Sequence, residues 1–599
     1  MYLVVKYSRK QILKEGNQLE NKILCKNIIF PESFLPECFT NKYVFDSIPN
    51  ILAQYGNCHK MLEENFRLNT NGSINCFRDI VNLNYGVTKG TEPIQFIGAK
   101  SSGGNRVFSI PNPLIQIPLH AFVLNNAEFL LSKQSEDSDE FMSNSKYYYD
   151  SEKVYTYNPY FEGEDVEVQE NIVQDKYLQG ILNKYKISDG KYYSMKIDVS
   201  SCYNNIYTHM ISWLSGSEDE KIVLENFDKI IRNTYNGETK GIPIGPYTSG
   251  LFSEILFSKI DNAIKKEIKN GKAISFVRNV DDFEIYADSK ELLNDDIKYI
   301  IENELAKLKL EINYNKLSFK EFPFFKLPNY VIKEVKEISE VSAQSESSSE
   351  VVERMIRVIS NNLDKNISDC KYSLIQIYSN IKNDNIKFNS NDENEVVSYF
   401  IDYLINLAFK YNYLVKQCFE LIIVVIEKTN VDTEKLINKL ISKRAARKSH
   451  IREIVDIWIV YLITCLDLNN DEISRYFETV SYESDIALII ILNYCNNKNL
   501  LEKNKEWLKK YFNDMKVNLL KAYDGNWQLG AWISKYWLLL YMNQKEWKIH
   551  QKQGFKDTIF VEVDIEKLCS DNDAIAKRLN LFNILLQQDV TFFEENDKE

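Results

Sequence analysis

Hydrophobic and polar positions change period several times along this chain. Residues 192–199, YYSMKIDV, read as a strand. Directly after it, Tyr203, Ile206, Tyr207, Met210, Ile211 and Leu214 recur at helical spacing. A second helical stripe, Phe252, Ile255, Leu256 and Ile260, follows GIPIGP (241–246), whose Pro246 suits a helix's first turn. In ISFVRNVDDFEIYA (274–287), Phe283 and Ile285 alternate with Glu284 and Tyr286. That period predicts two short strands flanking an Asp-Asp turn. Residues 295–310 return to helical spacing, so the order strand–helix–helix–strand–turn–strand predicts an α+β unit. Upstream, GAKSSGGNRVFSIPNP (98–113) reads as a flexible glycine loop entering a strand.

The pattern then breaks. SAQSESSSE (342–350) is polar, rich in serine and without an apolar anchor, which predicts a loop or linker. Beyond it almost every stretch is amphipathic at helical spacing, as in Val397, Phe400, Ile401, Leu404 and Ala408. Short polar turns (KTNVDTEK, DLNNDE, CNNKNL) separate these stretches, as in a stacked helical array. No clean sequence period emerges, so a repeat solenoid and an irregular helical domain both remain open.

Composition narrows the class. With 599 residues, 44% hydrophobic and 26% charged, the chain is ordered, globular and too long for one core. Its net charge of -12 argues against coating duplex nucleic acid through a broad basic surface. Residues 1–30 lean basic, and Lys443, Arg444, Arg447 and Lys448 cluster, which reads first as a solvated face. The 10 cysteines form no CxxC pair and the 5 histidines show no zinc spacing, which points to a reducing compartment. The start shows no signal peptide, and runs such as LIIVVI (421–426) and IWIVYLI (457–463) fall short of the roughly 18–20 residues a span needs. The expectation is a soluble, cytoplasmic protein with no membrane partner.

The chemistry concentrates in three carboxylates. Asp198 ends the first strand, and Asp281 and Asp282 occupy the turn, 83 positions later. Three aspartates in this order suit the joining of nucleotides, because that reaction uses two hard cations about 4 Å apart and Mg2+ accepts carboxylate oxygens. Asp198 and Asp281 are the expected metal ligands, with Asp282 in support and the Val199 carbonyl beside them. Tyr203 stands where an aromatic ring fills the space of a ribose 2′-hydroxyl, selecting deoxynucleotides. The glycines of GIPIGP, with Gly245 and Pro246 at its end, allow a substrate to approach the backbone closely. Lys316, in EINYNKLSF after an expected strand, is placed to protonate departing pyrophosphate. Arg106, and less directly Lys100, suit the triphosphate. Taken alone, Tyr203 reads as helix core and Lys316 and Arg106 as surface charge. Their positions relative to the aspartates single them out.

Together these segments resemble reverse transcriptases. KIDVSSCY is similar to motif A of that family, GIPIGPYTS to motif B (commonly GLPQGSPLS), VRNVDD to motif C (Y-x-D-D) and NYNK to motif D. RVFSIPNP resembles the fingers segment, and the match spans about residues 95–320. The resemblance implies a right-hand palm and fingers in 95–330, with 1–94 packing on the fingers, 331–350 as linker and 351–599 as a helical, HEAT-like domain. It also implies two Mg2+ ions, with Mn2+ as substitute, and deoxynucleotide substrates. Three departures stand out: Ile244 replaces the motif B glutamine, Asn279 replaces the motif C aromatic, and no thumb is evident after Lys316. With these departures and its length, the chain is similar to the bacterial abortive-infection reverse transcriptases. That likeness implies phage defence, homo-oligomers and untemplated DNA synthesis primed by a protein hydroxyl, leaving single-stranded DNA covalently attached. Among 37 tyrosines, Tyr43 in TNKYVFD is the candidate primer. A conventional RNA-templated enzyme and a catalytically silent palm serving as scaffold are the alternatives.

Overall fold

The computed structural model describes residues 28–31, 34–44, 47, 50–51, 91–100, 104–149, 154–156, 184–562, 565 and 574–593. Within 184–562 it omits 236, 325–328, 345–347, 389–393, 447–452, 524–526, 548, 552–553 and 556–558. Among these residues the fold is α+β, a small sheet region followed by a large helical portion.

A hairpin opens the described core, β1 (Ile94–Ala99) pairing antiparallel with β2 (Asn105–Ile110). The expected glycine loop is its tip, with residues 101–103 outside the described set. Helix α1 (Pro113–Asn125) follows, then short strands β3 (Phe141–Ser143), β4 (Tyr147–Tyr149) and β5 (Val154–Thr156). The central sheet adds β6 (Tyr193–Asp198), β7 (Ile274–Asn279), β8 (Asp282–Ala287) and β9 (Ser318–Glu321) in the order β3-β7-β8-β6-β9. Among the described strands only the β3–β7 pair is parallel.

Burial explains the sheet. Phe276, Phe283 and Ile285 are fully buried on one face, where Phe257 of a long helix packs on Phe283 at 6.0 Å between ring centroids. Val277 and Tyr286 face the other way, onto Ile187 and Phe324. With both faces covered, the strands have lost most of the polar alternation of a half-exposed sheet.

The helix expected after β6 is broken. Cys202–Asn205 forms one α turn and Thr208–Leu214 a 3-10 helix. The GIPIGP loop is the cause: Gly241 N–H donates to the Ile206 carbonyl (2.8 Å) and Ile242 N–H to the Tyr203 carbonyl (2.9 Å). A continuing helix would need both acceptors. Helix α2 (Glu218–Asn233), capped by Ser217, went unpredicted. Helix α3 (Tyr247–Lys269) starts at Pro246 as expected and buries Phe252, Ile255, Leu256 and Ile260 completely. Leu292–Ile297 winds as a π-helix into α4 (Lys298–Lys307). Lys316 follows a turn rather than the expected strand, since only Ile312 bridges to Val199.

The expected linker is largely helical, in α5 (Asn329–Gln344) and α6 (Ser348–Lys365). These pack with α7 (Ile367–Lys382) as a three-helix unit directly after the sheet. The array continues through α8 (Asn394–Lys410), α9 (Val415–Glu427), α10 (Thr433–Ala446), α11 (Glu453–Cys465), α12 (Asp471–Ser481), α13 (Asp485–Asn497), α14 (Lys505–Ala522) and, near the end, α15 (Ala574–Gln587). One continuous apolar core runs from Ile28 to Phe593. The described N-terminal residues join its parts. Phe34 packs on Phe108 of the hairpin at 4.1 Å, while its carbonyl accepts from the Trp458 indole of α11 (3.2 Å). No helix among the described residues is long and apolar enough to cross a membrane.

Candidate active site

The pairing of β6 with β8 sets Asp198 opposite Asp282, and the two-residue turn at 280–281 places Asp281 beside them. Carboxylates from two distant segments thus meet at one end of the sheet. Asp198 is well held. Its Oδ1 accepts from Lys316 Nζ (2.6 Å), its Oδ2 from the Asn313 side-chain amide (3.0 Å), and its carbonyl from Asn313 N–H (2.8 Å). Burial, then repulsion from Asp282 and Asp198, push the Asp281 carboxyl up to about 6, against its own backbone N–H and the charge of Arg106. Asp282 is raised too, first by burial.

The turn itself is unusual. Val280 has φ of 55°, a left-handed conformation that a β-branched residue adopts at a cost of roughly 1–3 kcal/mol. Both of its polar backbone groups are captured. Val280 N–H donates to Ser145 Oγ (2.8 Å), and its carbonyl accepts from the Arg278 guanidinium (3.0 Å). Arg278 is fully buried and forks onto two carboxylates of α3, Glu254 (2.7 and 2.8 Å) and Asp261 (2.8 and 2.7 Å). Burial opposes ionisation of Glu254, yet Arg278, Ser143 and Ser145 hold it below the ordinary range.

Tyr203 is half-buried and packs on the core. Burial drives its hydroxyl well upward; Tyr147, Cys202 and Asp281 add to this and Arg106 opposes it. From β2, the charge of Arg106 likewise offsets part of the rise at Asp281. At the hairpin tip the Lys100 backbone N–H donates to the Gly104 carbonyl (3.1 Å). Gly245, at φ of 134°, lies against β2: a Cβ there would stand 3.1 Å from the Ser109 carbonyl oxygen. Ser109 N–H donates to the Ile244 carbonyl (2.9 Å), which seats the GIPIGP loop on the hairpin.

Residues 152–351 match the family model described as Reverse transcriptase (RNA-dependent DNA polymerase). That matched third of the chain is similar to a reverse transcriptase domain. No curated protein matches. Similar solved structures include telomerase from Candida tropicalis with a TWJ fragment of telomeric RNA, at 15% identity and TM-score 0.26, covering 63% of this chain and 65% of that one. Telomerase from Candida albicans with the same kind of fragment matches at 14% and 0.23, covering 65% and 66%. Apo telomerase from Candida tropicalis matches at 14% and 0.26, covering 68% and 70%. The chain therefore spans just under two thirds of the first two relatives' length.

The donor set of this reverse-transcriptase-like region fits a hard divalent cation. Its buried carboxylates repel one another, and oxygen is the ligand Mg2+ takes. Among the described residues, however, no group of three or more candidate ligands is arranged to hold a metal. Lys316 occupies Asp198 Oδ1 instead. Val199 is buried, paired with Ile312.

Two expected features fall elsewhere. Tyr43 is partly exposed beside Lys42, in the N-terminal segment whose Phe39 pairs with Phe593. Of the basic cluster, Arg444 is no solvated charge: it is buried and forks onto Asp456 (2.9 and 3.0 Å), while also bonding Glu483. Arg447 and Lys448 lie outside the described residues. Sequence reasoning missed Asn313, Arg278, Glu254 and Ser145. Asn313 and Arg278 carried a signal, from their places in the NYNK and VRNVDD segments, while Glu254 and Ser145 carried none.

Proposed function

We propose that the reverse-transcriptase-like region is a Mg2+-dependent DNA polymerase that extends DNA without a template, on a primer hydroxyl of the protein itself, as part of defence against phage. The observation that carries the polymerase reading is the meeting of Asp198, Asp281 and Asp282 at the β6–β8 strand ends. Asp198, Asp281, Asp282 and the Val199 carbonyl would hold the metal, with Mn2+ as substitute. When bound, it would acidify the attacking hydroxyl and stabilise the leaving pyrophosphate. Arg106 orients the triphosphate, with Lys100 behind it, and Tyr203 excludes a 2′-hydroxyl. Lys316, already hydrogen-bonded to Asp198, supplies a proton to the pyrophosphate.

Ile244 supports the untemplated reading. The usual glutamine amide at this motif B position would touch the nascent base pair, and isoleucine removes those hydrogen bonds. The similarity to abortive-infection reverse transcriptases supports phage defence, a cytoplasmic bacterial setting, a homo-oligomer and covalently attached single-stranded DNA. Tyr43 is the proposed primer. Residues 1–94, 95–330, 331–350 and 351–599 are the proposed divisions. The matched family's description as RNA-dependent favours a second reading, a conventional templated enzyme.

Labelled deoxynucleotides and Mg2+, with no template or primer, separate the two. Label that migrates with the protein until protease treatment supports self-primed synthesis. Label that appears only with added template and primer supports the second reading.

A further inference from the structure

The strained Val280 sits between the strand that carries Arg278 and the carboxylates it must present. Arg278 bonds its carbonyl, and Ser145, itself bonded to Glu254 (2.7 Å), accepts its N–H. Ser143 closes the network onto the other oxygen of Glu254 (2.6 Å). Glu254 and Asp261 are seven positions apart on α3, so both face the sheet from one side of the helix. A single rigid cation thus ties β3, β7 and α3 to the backbone of the residue preceding Asp281.

We propose that Arg278 is a positioning residue: through Glu254 and Ser145 it holds Val280 left-handed and so aims Asp281 and Asp282 into the site. The assignment rests on the polymerase reading. A lysine would keep the charge and lose the planar fork that reaches Glu254, Asp261 and the Val280 carbonyl together. A glycine at 280 would adopt positive φ without any lock.

The test uses the full-length protein with Arg278→Lys, Val280→Gly and the double variant, followed by nucleotide incorporation and thermal unfolding. Arg278→Lys should lower kcat about 100-fold, the scale of an ångström-sized misplacement, while leaving nucleotide KM within about threefold. Adding Val280→Gly should restore kcat by about tenfold or more, since the lock becomes dispensable. Arg444→Lys, at an equally forked arginine far from the turn in sequence, should lose stability without that loss of kcat. Ser145→Ala removes the acceptor of Val280 N–H with little loss of packing, and carries the same expectation should Arg278→Lys not fold.

A folded Arg278→Lys with kcat within about threefold of wild type overturns the proposal, as does a double variant no better than the single. Amide exchange at residues 279–283 reads the turn without catalysis. Faster exchange in Arg278→Lys, slowed again by Val280→Gly, supports the lock even in a wild type that incorporates nothing. Unchanged exchange overturns it.

Discussion

Asp281 is expected to trade stability for function. Its carboxyl is pushed up to about 6, so the folded chain keeps a proton there that the unfolded chain releases above its usual 3.8. That contribution is present below about pH 4 and lost as pH rises through 6. Asp281→Asn should therefore raise metal-free stability at pH 7.5 by roughly 1–3 kcal/mol while abolishing incorporation. Mg2+ should raise the Tm of wild type and leave that of Asp281→Asn unmoved. Calorimetry with and without Mg2+ checks both; a metal response retained in Asp281→Asn contradicts the ligand assignment. At this scale the aspartates were legible because each announces itself locally, at a strand end or a tight turn. The role of Arg278 was not. Its partners Glu254 and Asp261 precede it by 24 and 17 positions, on a helix whose apolar stripe alone is visible in the sequence. Asn313 and Lys316 reach Asp198 across 115 and 118 positions, a closure that only the folded sheet provides.

Two elements invite separate tests. The GIPIGP loop meets β2 so closely at Gly245 that Gly245→Ala combines a strained φ with a 3.1 Å contact to the Ser109 oxygen. We expect a loss of roughly 1–3 kcal/mol in stability and a weaker nucleotide KM, measured by unfolding and steady-state kinetics. At the outer edge of the hairpin, Glu453 of α11 accepts the Ile97 N–H (2.8 Å), and burial first of all pushes its carboxyl up to about 7. The folded chain retains that proton between 4.5 and 7, so the contribution is lost as pH rises through 7. Glu453→Gln, which keeps an acceptor for Ile97, should unfold about 1–3 °C higher than wild type at pH 8 and show no such gain at pH 4.5. Period and capping made most strands and helices legible, including α3 from Pro246. The break after Cys202 was not, because loop N–H groups nearly forty residues later take the carbonyls a helix would use.

At the scale of the whole molecule, the helical portion is part of the same core as the sheet. Asn112, at the start of α1, donates to the Trp532 carbonyl (2.8 Å), α15 packs on α1, and Phe34 bridges the hairpin and α11. Ending the chain after residue 330 should therefore yield an aggregating product, judged by soluble yield and far-UV circular dichroism, rather than a free-standing domain. A soluble, active fragment would show that these contacts are dispensable. The serine-rich stretch at 342–350 looked like a boundary from composition, yet most of it continues helices that pack on each other. Polarity marks exposure, and an exposed helix face is as polar as a linker.

The central claim is that the three aspartates polymerise deoxynucleotides, and one measurement addresses it directly. Purified wild type and the Asp281→Asn/Asp282→Asn double variant would be incubated with Mg2+ and labelled deoxynucleotides, with and without template and primer, and the products resolved on a denaturing gel. The account predicts incorporation by wild type in at least one condition and a loss of about a thousandfold or more in the variant. Equal incorporation by both proteins, or none by wild type in either condition, would contradict it.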